Sequence, residues 1–249
     1  MSLLHIPVAL PPWTALGKKL ESMCRKAVFE FSLLDNVGKV AVALSGGKDS
    51  LTLLYLLNAL RGRGFPHFDL HAVHVSGAFS CGAGVETQFL KKICEKLSIP
   101  LTICDTDQKL EDLACYSCSR NRRSLIFDAA KSVGIDTIAF GHHRDDSIQT
   151  LLMNLMHKGE FSANLPKIHM HEYKVTIIRP LIYISQNEIV EFAKKYGFAR
   201  ISCQCPVGQH SMRKKTEDLI KQIEEIFPNT RQNLSLASLK YGSDKANRK

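Results

Sequence analysis

The amino-acid sequence predicts an α/β fold: a parallel sheet with helices on both of its faces. Three observations lead there. Short apolar runs rich in valine, isoleucine and alanine alternate with longer amphipathic or leucine-rich stretches. The first run, Lys39 to Leu44, ends in a Gly-Gly turn that opens onto a stretch with leucine on every side. No apolar run nears the roughly 20 residues that a bilayer-crossing helix needs, so no membrane partner is expected.

The elements follow in chain order. Trp13 to Phe31 is the first helix candidate, and Lys39 to Leu44 the first strand. Leu51 to Leu60 is apolar all round, the pattern of a buried helix. Asp69 to Val75 then reads as a strand and Glu86 to Leu97 as a helix. Pro100 to Cys104 is a strand and Ser119 to Val133 a helix. Asp136 to Phe140 is a strand and Asp145 to Met156 a helix. Lys174 to Ile178 and Gln186 to Tyr196 close the alternation. There is no internal repeat and no low-complexity segment.

The chain has 249 residues, 45% of them hydrophobic, enough for one large core. Residues 1–36 read as a helical lead-in, 37–210 as the main domain, and 211–249 as a helical tail. The polar, basic end from Gly242 to Lys249 is expected to fray. A formal net charge of +9 favours a polyanionic partner, usually nucleic acid. No recognisable nucleic-acid-binding module, such as an RRM or OB signature, accompanies it. Met1 to Pro12 has no basic region and is broken by prolines, a poor match to a signal peptide, so a cytoplasmic location is expected. Eight cysteines in that compartment read as thiols, metal ligands or catalytic groups rather than disulfides.

Two loops carry nucleotide chemistry. The first is Ser45-Gly46-Gly47-Lys48-Asp49-Ser50, between the first strand and a helix. Its glycines let backbone amides approach a ligand closely, and the helix start adds unpaired N–H groups and a positive dipole end. Ser45 and Ser50 offer hydroxyls and Lys48 a point charge. The spacing differs from the Walker loop of other ATPases. The second loop is Gly141-His142-His143-Arg144-Asp145-Asp146, after the fourth strand of the alternation. Ligands of open parallel sheets sit beyond the carboxyl ends of the strands, so both loops can face one crevice. The two adjacent acids offer oxygen to Mg²⁺ and the histidines nitrogen to a transition metal, while a solvated polar turn is the plainer alternative. His74, near the end of the second strand, is by itself a core histidine.

Cys115-Tyr116-Ser117-Cys118 precedes a helix, and Cys203-Gln204-Cys205-Pro206 lies far downstream. Such a pair with a remote cysteine permits Zn²⁺, an iron–sulfur cluster or redox chemistry. Cys94 and Cys104 lie on elements that read as buried, hence as inert core. Arg120, Arg122 and Arg123 follow the pair, and with Arg144, Lys167 and Arg179 they are candidates for phosphate contacts with RNA.

The hexapeptide at Ser45 to Ser50 resembles the loop of the PP-loop ATP pyrophosphatases. The combination from about Lys39 to Asp218 resembles their tRNA 2-thiocytidine synthetase family. It includes Cys115 to Arg123, Gly141 to Asp146 followed by Gln149-Thr150-Leu151, Leu165-Pro166-Lys167 and Ile178-Arg179-Pro180-Leu181. The resemblance implies a doubly wound parallel sheet of the adenine nucleotide alpha-hydrolase-like type, with 37–210 as the ATPase and thiolation domain. It implies ATP-dependent conversion of a tRNA anticodon-loop cytidine, position 32, to 2-thiocytidine through adenylation. It assigns Lys48, Asp49 and Asp145 to catalysis, and the loop Ser45 to Ser50, His74, Gly141 and Asp145 to the nucleotide and Mg²⁺.

The same resemblance implies a [4Fe–4S] cluster on Cys115, Cys118 and Cys203, with one iron left open. Its further implications are tRNA contacts at Arg120, Arg122, Arg123, Lys167 and Arg179, a sulfur donor such as a cysteine desulfurase, and a homodimer. The sequence departs from the family twice: Pro206 stands where a second downstream cysteine belongs, with Cys205 one place early, and the segment before Cys115 is short and lacks a basic lead-in. Cys205 therefore stays open as a third or fourth ligand. The alternatives are a 2-thiouridine synthetase, a lysidine synthetase, which needs no C-x₂-C pair, and a nucleotide-binding sensor that adenylates nothing.

Overall fold

A computed structural model describes residues 6–65, 67–77, 87–106, 115–198 and 212–243. Six strands form one sheet: β1 (Lys39–Ala43), β2 (Asp69–Ser76), β3 (Leu101–Asp105), β4 (Thr137–Ala139), β5 (Lys167–Met170) and β6 (Val175–Ile178). Their order across the sheet is β3-β2-β1-β4-β6-β5. All neighbours are parallel except β5, which runs antiparallel to β6 at the edge. The helices are α1 (Ala15–Glu30), α2 (Lys48–Leu60), α3 (Thr87–Leu97), α4 (Cys115–Ser132), α5 (Arg144–Lys158), α6 (Gln186–Lys195), α7 (Met212–Ile226) and α8 (Thr230–Tyr241). The expected doubly wound α/β architecture is thus present.

Alternate residues of β1 explain the two covered faces. Val40 and Val42 enter one core with Leu51 to Leu57 of α2, Leu20 of α1, Leu90 of α3 and Phe192 of α6. Ala41 and Ala43 enter another with Ile126 and Phe127 of α4 and Val73 of β2. Successive strand residues point to opposite faces, so a strand buried on both must be apolar throughout. The lead-in is part of the first core: Trp13 stands edge-on to Phe192 and Tyr196, and its indole N–H donates to Glu21. Tail helices α7 and α8 pack on α5, where Ile220 and Leu234 meet Ile148 and Leu152.

Three local readings change. β5 was not foreseen; it is four residues long, folded back on β6 by a turn in which Lys174 has a φ of 51°. The helix expected from Ser119 begins at Cys115, so the cysteine pair lies inside its first turn. Of the polar end expected to fray, Gly242 to Lys249, only the start is described: Ser243 is buried, bridges antiparallel to Ser162 and shares a 2.9 Å hydroxyl contact with it, while 244–249 lie outside the described residues. No helix among the described residues is long and apolar enough to cross a membrane.

Candidate active site

β1 has β2 on one side and β4 on the other, so the order of connection reverses between β1 and β4. A crevice opens at such a switch point, beyond the carboxyl ends of the strands. The loop after β1 and the loop after β4 both leave from that edge.

The first loop is shaped by its own residues. Gly46 has a φ of 82°, a conformation that side chains with a Cβ rarely adopt. Gly47 caps α2 with extended backbone and no side-chain cap, so the first amides of α2 have no capping partner there. Ser45 Oγ accepts from the Gly47 amide at 3.3 Å and lies 3.1 Å from Ser50 Oγ. Ser50 Oγ donates to the Gly47 carbonyl at 3.0 Å. Lys48 Nζ reaches back to both oxygens of Asp49, at 2.8 and 2.9 Å. Asp49 keeps 34% of its side-chain surface exposed, so this carboxylate remains open to the crevice. His74 is buried, and its Nδ1 lies 2.8 Å from the carbonyl of Leu44, the residue before the loop. The carbonyl can only accept, so Nδ1 carries the proton and the ring pins the strand end. Burial lowers its pKa, which keeps the ring neutral.

The second loop rests directly on the first. A Cβ placed on Gly141 would come within 3.0 Å of the Asp49 carbonyl carbon and 3.1 Å of the Ser50 nitrogen, both backbone atoms. Only glycine lets the β4 loop approach the start of α2 this closely. His143 Nε2 adds a contact of 3.8 Å to Asp49 Oδ1. The structure therefore brings both sequence motifs together in one crevice. The chain matches the PP-loop domain family over residues 16–202. It is 35% identical over 238 residues to the tRNA-cytidine(32) 2-sulfurtransferase of Legionella pneumophila, covering 91% of this chain and 83% of that one.

The chain belongs to this PP-loop family. It is also 32% identical to the tRNA-cytidine(32) 2-sulfurtransferase of Syntrophotalea carbinolica, covering 88% of this chain and 87% of the relative. Among solved structures it is similar to the U34-tRNA thiolase NcsA from Methanococcus maripaludis, a structure that includes a [4Fe–4S] cluster. The TM-score is 0.70 at 24% identity, over 89% of this chain and 77% of that one. That likeness establishes the PP-loop fold.

The acids of the PP-loop protein's second motif have protein partners. α5 starts with a capping box: Asp146 Oδ2 accepts from the His143 amide at 3.1 Å, and His143 Nδ1 accepts from the Asp146 amide at 3.4 Å. Arg213 of α7 donates to Asp146 Oδ1 at 2.7 Å. Burial alone would raise the Asp146 pKa; His143, His142 and Arg213 outweigh it and hold the carboxyl below its ordinary range. Asp145 is buried, and both of its oxygens are occupied. Oδ1 accepts from Arg231 of α8 at 2.7 Å, and Oδ2 from the Gln186 amide at the start of α6 at 2.8 Å. Asp145 is thus buried and paired with protein groups, whereas Asp49 keeps a third of its side chain exposed. His142 is stacked on Phe140 at 5.7 Å; burial, with Arg179 second, pushes its pKa down to about 3.

The basic candidates divide. Arg120, Arg122 and Arg123 lie in the first half of α4, with Arg120 exposed. Lys167 and Arg179 are committed to backbone carbonyls, of Ser32 and Leu165 respectively, and Arg179 is buried. An RNA backbone on the surface cannot reach Arg179. The cysteines are described least. Cys115 and Cys118 stand one turn apart at the start of α4, with side chains outside the described residues, and Cys203 and Cys205 lie outside them altogether. Among the described residues, no group of three histidine, cysteine or acidic side chains is arranged to hold a metal ion. Sequence reasoning missed Arg213, Arg231 and Glu217. No motif marks them: they sit in polar helices, the two arginines 67 and 86 residues from the acids they pair with and Glu217 68 residues from Gln149.

Proposed function

We propose that this protein is an ATP-dependent tRNA sulfurtransferase that converts an anticodon-loop cytidine, position 32, to 2-thiocytidine in the cytoplasm. The observation that carries the reading is the crevice in which Gly141 packs on the start of α2, in a chain about one-third identical to enzymes named for this reaction. In the proposed reaction the cytidine O2 attacks the alpha-phosphorus of ATP and pyrophosphate leaves. Sulfide then adds at C2, the C2–O2 bond breaks, and AMP departs with the oxygen.

The residues divide the work by geometry. The amides of Gly47 to Ser50, the Ser45 and Ser50 hydroxyls and the Lys48 ammonium hold the pyrophosphate as its charge develops. Asp49, half-exposed beside Lys48, is the carboxylate best placed to take Mg²⁺. His74 and Gly141 form the wall against which the nucleotide lies. Asp145 shapes the crevice from behind by fixing the start of α5. Arg120, Arg122 and Arg123 of α4 carry the phosphate contacts with tRNA.

The cysteines fit a [4Fe–4S] cluster by their chemistry. Two of them, Cys115 and Cys118, share the first turn of a helix, whose dipole favours thiolates. Cys203 is the proposed third ligand and Cys205 its competitor. Such a cluster, bound by three thiolates, would supply an iron able to carry sulfide. A cysteine desulfurase is the proposed origin of that sulfur, and the working form is proposed to be a homodimer. The test is nucleoside analysis of tRNA from cells with and without the protein. The 2-thiocytidine peak should vanish without it; an unchanged peak sinks the reading, and loss of 2-thiouridine instead would make it a uridine thiolase.

A further inference from the structure

Arg231 is the hub of a network that the reaction scheme above does not use. Its Nη1 donates to Asp145 at 2.7 Å and to Glu217 Oε2 at 3.2 Å, its Nη2 to Glu217 Oε1 at 2.7 Å, and its Nε to Glu224 at 2.9 Å. One guanidinium from α8 thus serves three carboxylates on α5 and α7. The fork of a guanidinium suits this; a lysine ammonium has no such geometry. The side-chain amide of Gln149 on α5 donates a hydrogen bond to Glu217 at 2.9 Å. Asp145 passes the connection on, because its second oxygen holds the first amide of α6. The start of α6 is fixed in turn by a capping box of Ser185 and Glu188. A second arginine, Arg213, makes an independent pair with the neighbouring Asp146.

We propose that the tail helices complete the nucleotide site, with Arg231 as the positioning residue that sets the start of α5 and hence the seat of Gly141 and His143 on the phosphate loop. The reasoning is mechanical. Asp145 is the second residue of α5, and Gly141 and His143 lie just before that helix. Gly141 touches the backbone of Asp49 and Ser50 without room for a methyl group. A shift of α5 by even a few tenths of an ångström must therefore displace the loop or open the contact. Without Arg231, Asp145, Glu217 and Glu224 lose their shared cation and the first turn of α5 loses its ion pair to α8, leaving Arg213–Asp146, Gln149–Glu217 and the apolar contacts of Ile148 and Leu152 to hold α5 to the tail helices. A cleft of about 450 Å³ beside the network, walled by the start of α5 and by α6, α7 and α8 but by none of the phosphate loop, gives the freed side chains room to move.

This rests on reading the crevice as an ATP site, and the test separates the two. The experiment is calorimetric titration of Mg-ATP into the purified full chain, without tRNA. Arg231→Gln should weaken binding at least tenfold while the stoichiometry stays near one. Arg231→Lys should recover part of the affinity, and Lys221→Ala, an exposed change on the same face, should leave it unaltered. A role in stability alone would lower the stoichiometry and leave the dissociation constant of the folded molecules unchanged. That result, or an unchanged constant in Arg231→Gln, overturns the proposal. Should Arg231→Gln not fold, Arg213→Gln, at a half-exposed pair, is expected to weaken Mg-ATP severalfold, and unchanged binding there overturns the proposal equally. Loss of the thiocytidine assignment with intact Mg-ATP binding would remove the substrate reading and leave this inference standing.

Discussion

The phosphate loop and the loop after β4 meet at one glycine, yet they are built by different means. Every side-chain polar contact described for Ser45 to Ser50 comes from within the hexapeptide or from the facing His143. The acids of the second loop are held by side chains from helices at the far end of the sequence. The first loop leaves backbone amides and a half-exposed Lys48–Asp49 pair facing outward. The second turns its two carboxylates toward arginines. A loop that binds through its backbone carries its function locally; a loop that binds through acids depends on whatever folds against it.

Four measurements test that contrast, from the largest effect to the smallest. Lys48→Ala removes a donor from the site of developing charge and should lower pyrophosphate release by about 10²–10³-fold. Its melting temperature should stay within a few degrees, because the Lys48–Asp49 pair is partly exposed and such pairs stabilise by less than about 1 kcal/mol. Asp145→Asn should behave oppositely. Breaking a buried pair costs about 3 kcal/mol, or roughly 6–12 °C in melting temperature for a chain of this size. A variant that keeps wild-type stability and loses only turnover would erase the distinction between the loops and return Asp145 to the chemistry.

Gly141→Ala should affect both loops at once, since its methyl group meets backbone atoms that cannot step aside. Overpacking of this kind costs about 1–3 kcal/mol, and weaker Mg-ATP binding should accompany it. Normal affinity in a folded Gly141→Ala protein would mean the two loops are not in functional contact. The smallest effect concerns pH. The buried His142, neutral in the fold, has its pKa pushed down to about 3, against 6.5 in the unfolded chain. Acidification from 6.5 toward 3 therefore protonates the unfolded chain first, and stability falls across that window. Asp146, held below its ordinary 3.8, adds a loss only as pH falls further. His142→Gln should flatten the slope by up to about 1.4 kcal/mol per pH unit; equal melting curves from pH 7 to 4.5 for both proteins would remove His142 as the cause.

Legibility followed the same division. The strand–helix alternation was readable because a doubly covered sheet favours apolar residues at the four buried positions of β1, Val40 to Ala43, and the Gly-Gly turn marked where the helix after it begins. The phosphate loop was readable because its geometry depends on glycine and on its own serines. β5 was not, because four residues of edge strand in Lys167–Met170 carry too little alternation to stand out. The seat of Asp145 was not readable either: adjacent acids after a strand have the pattern of a metal site, and only tertiary packing brings Arg231 and the Gln186 amide to them. Arg179 read as a candidate for RNA contacts and is buried: it follows directly on β6, where its guanidinium bonds the Leu165 carbonyl, a tertiary contact that no local pattern marks.

The 86 residues between Asp145 and Arg231 also set an order of events while the protein is being made. At roughly 5–20 residues per second, a ribosome needs about 4–17 seconds to pass from one to the other. Once Ile178 has been added all six strands have been synthesised, yet the two carboxylates at the start of α5 still lack the guanidinium groups of Arg213 and Arg231 that later pair with them. A nascent chain thus holds both loops before it holds the two arginines that pair with the acids of the second, and those pairs can form only once α7 and α8 have been made.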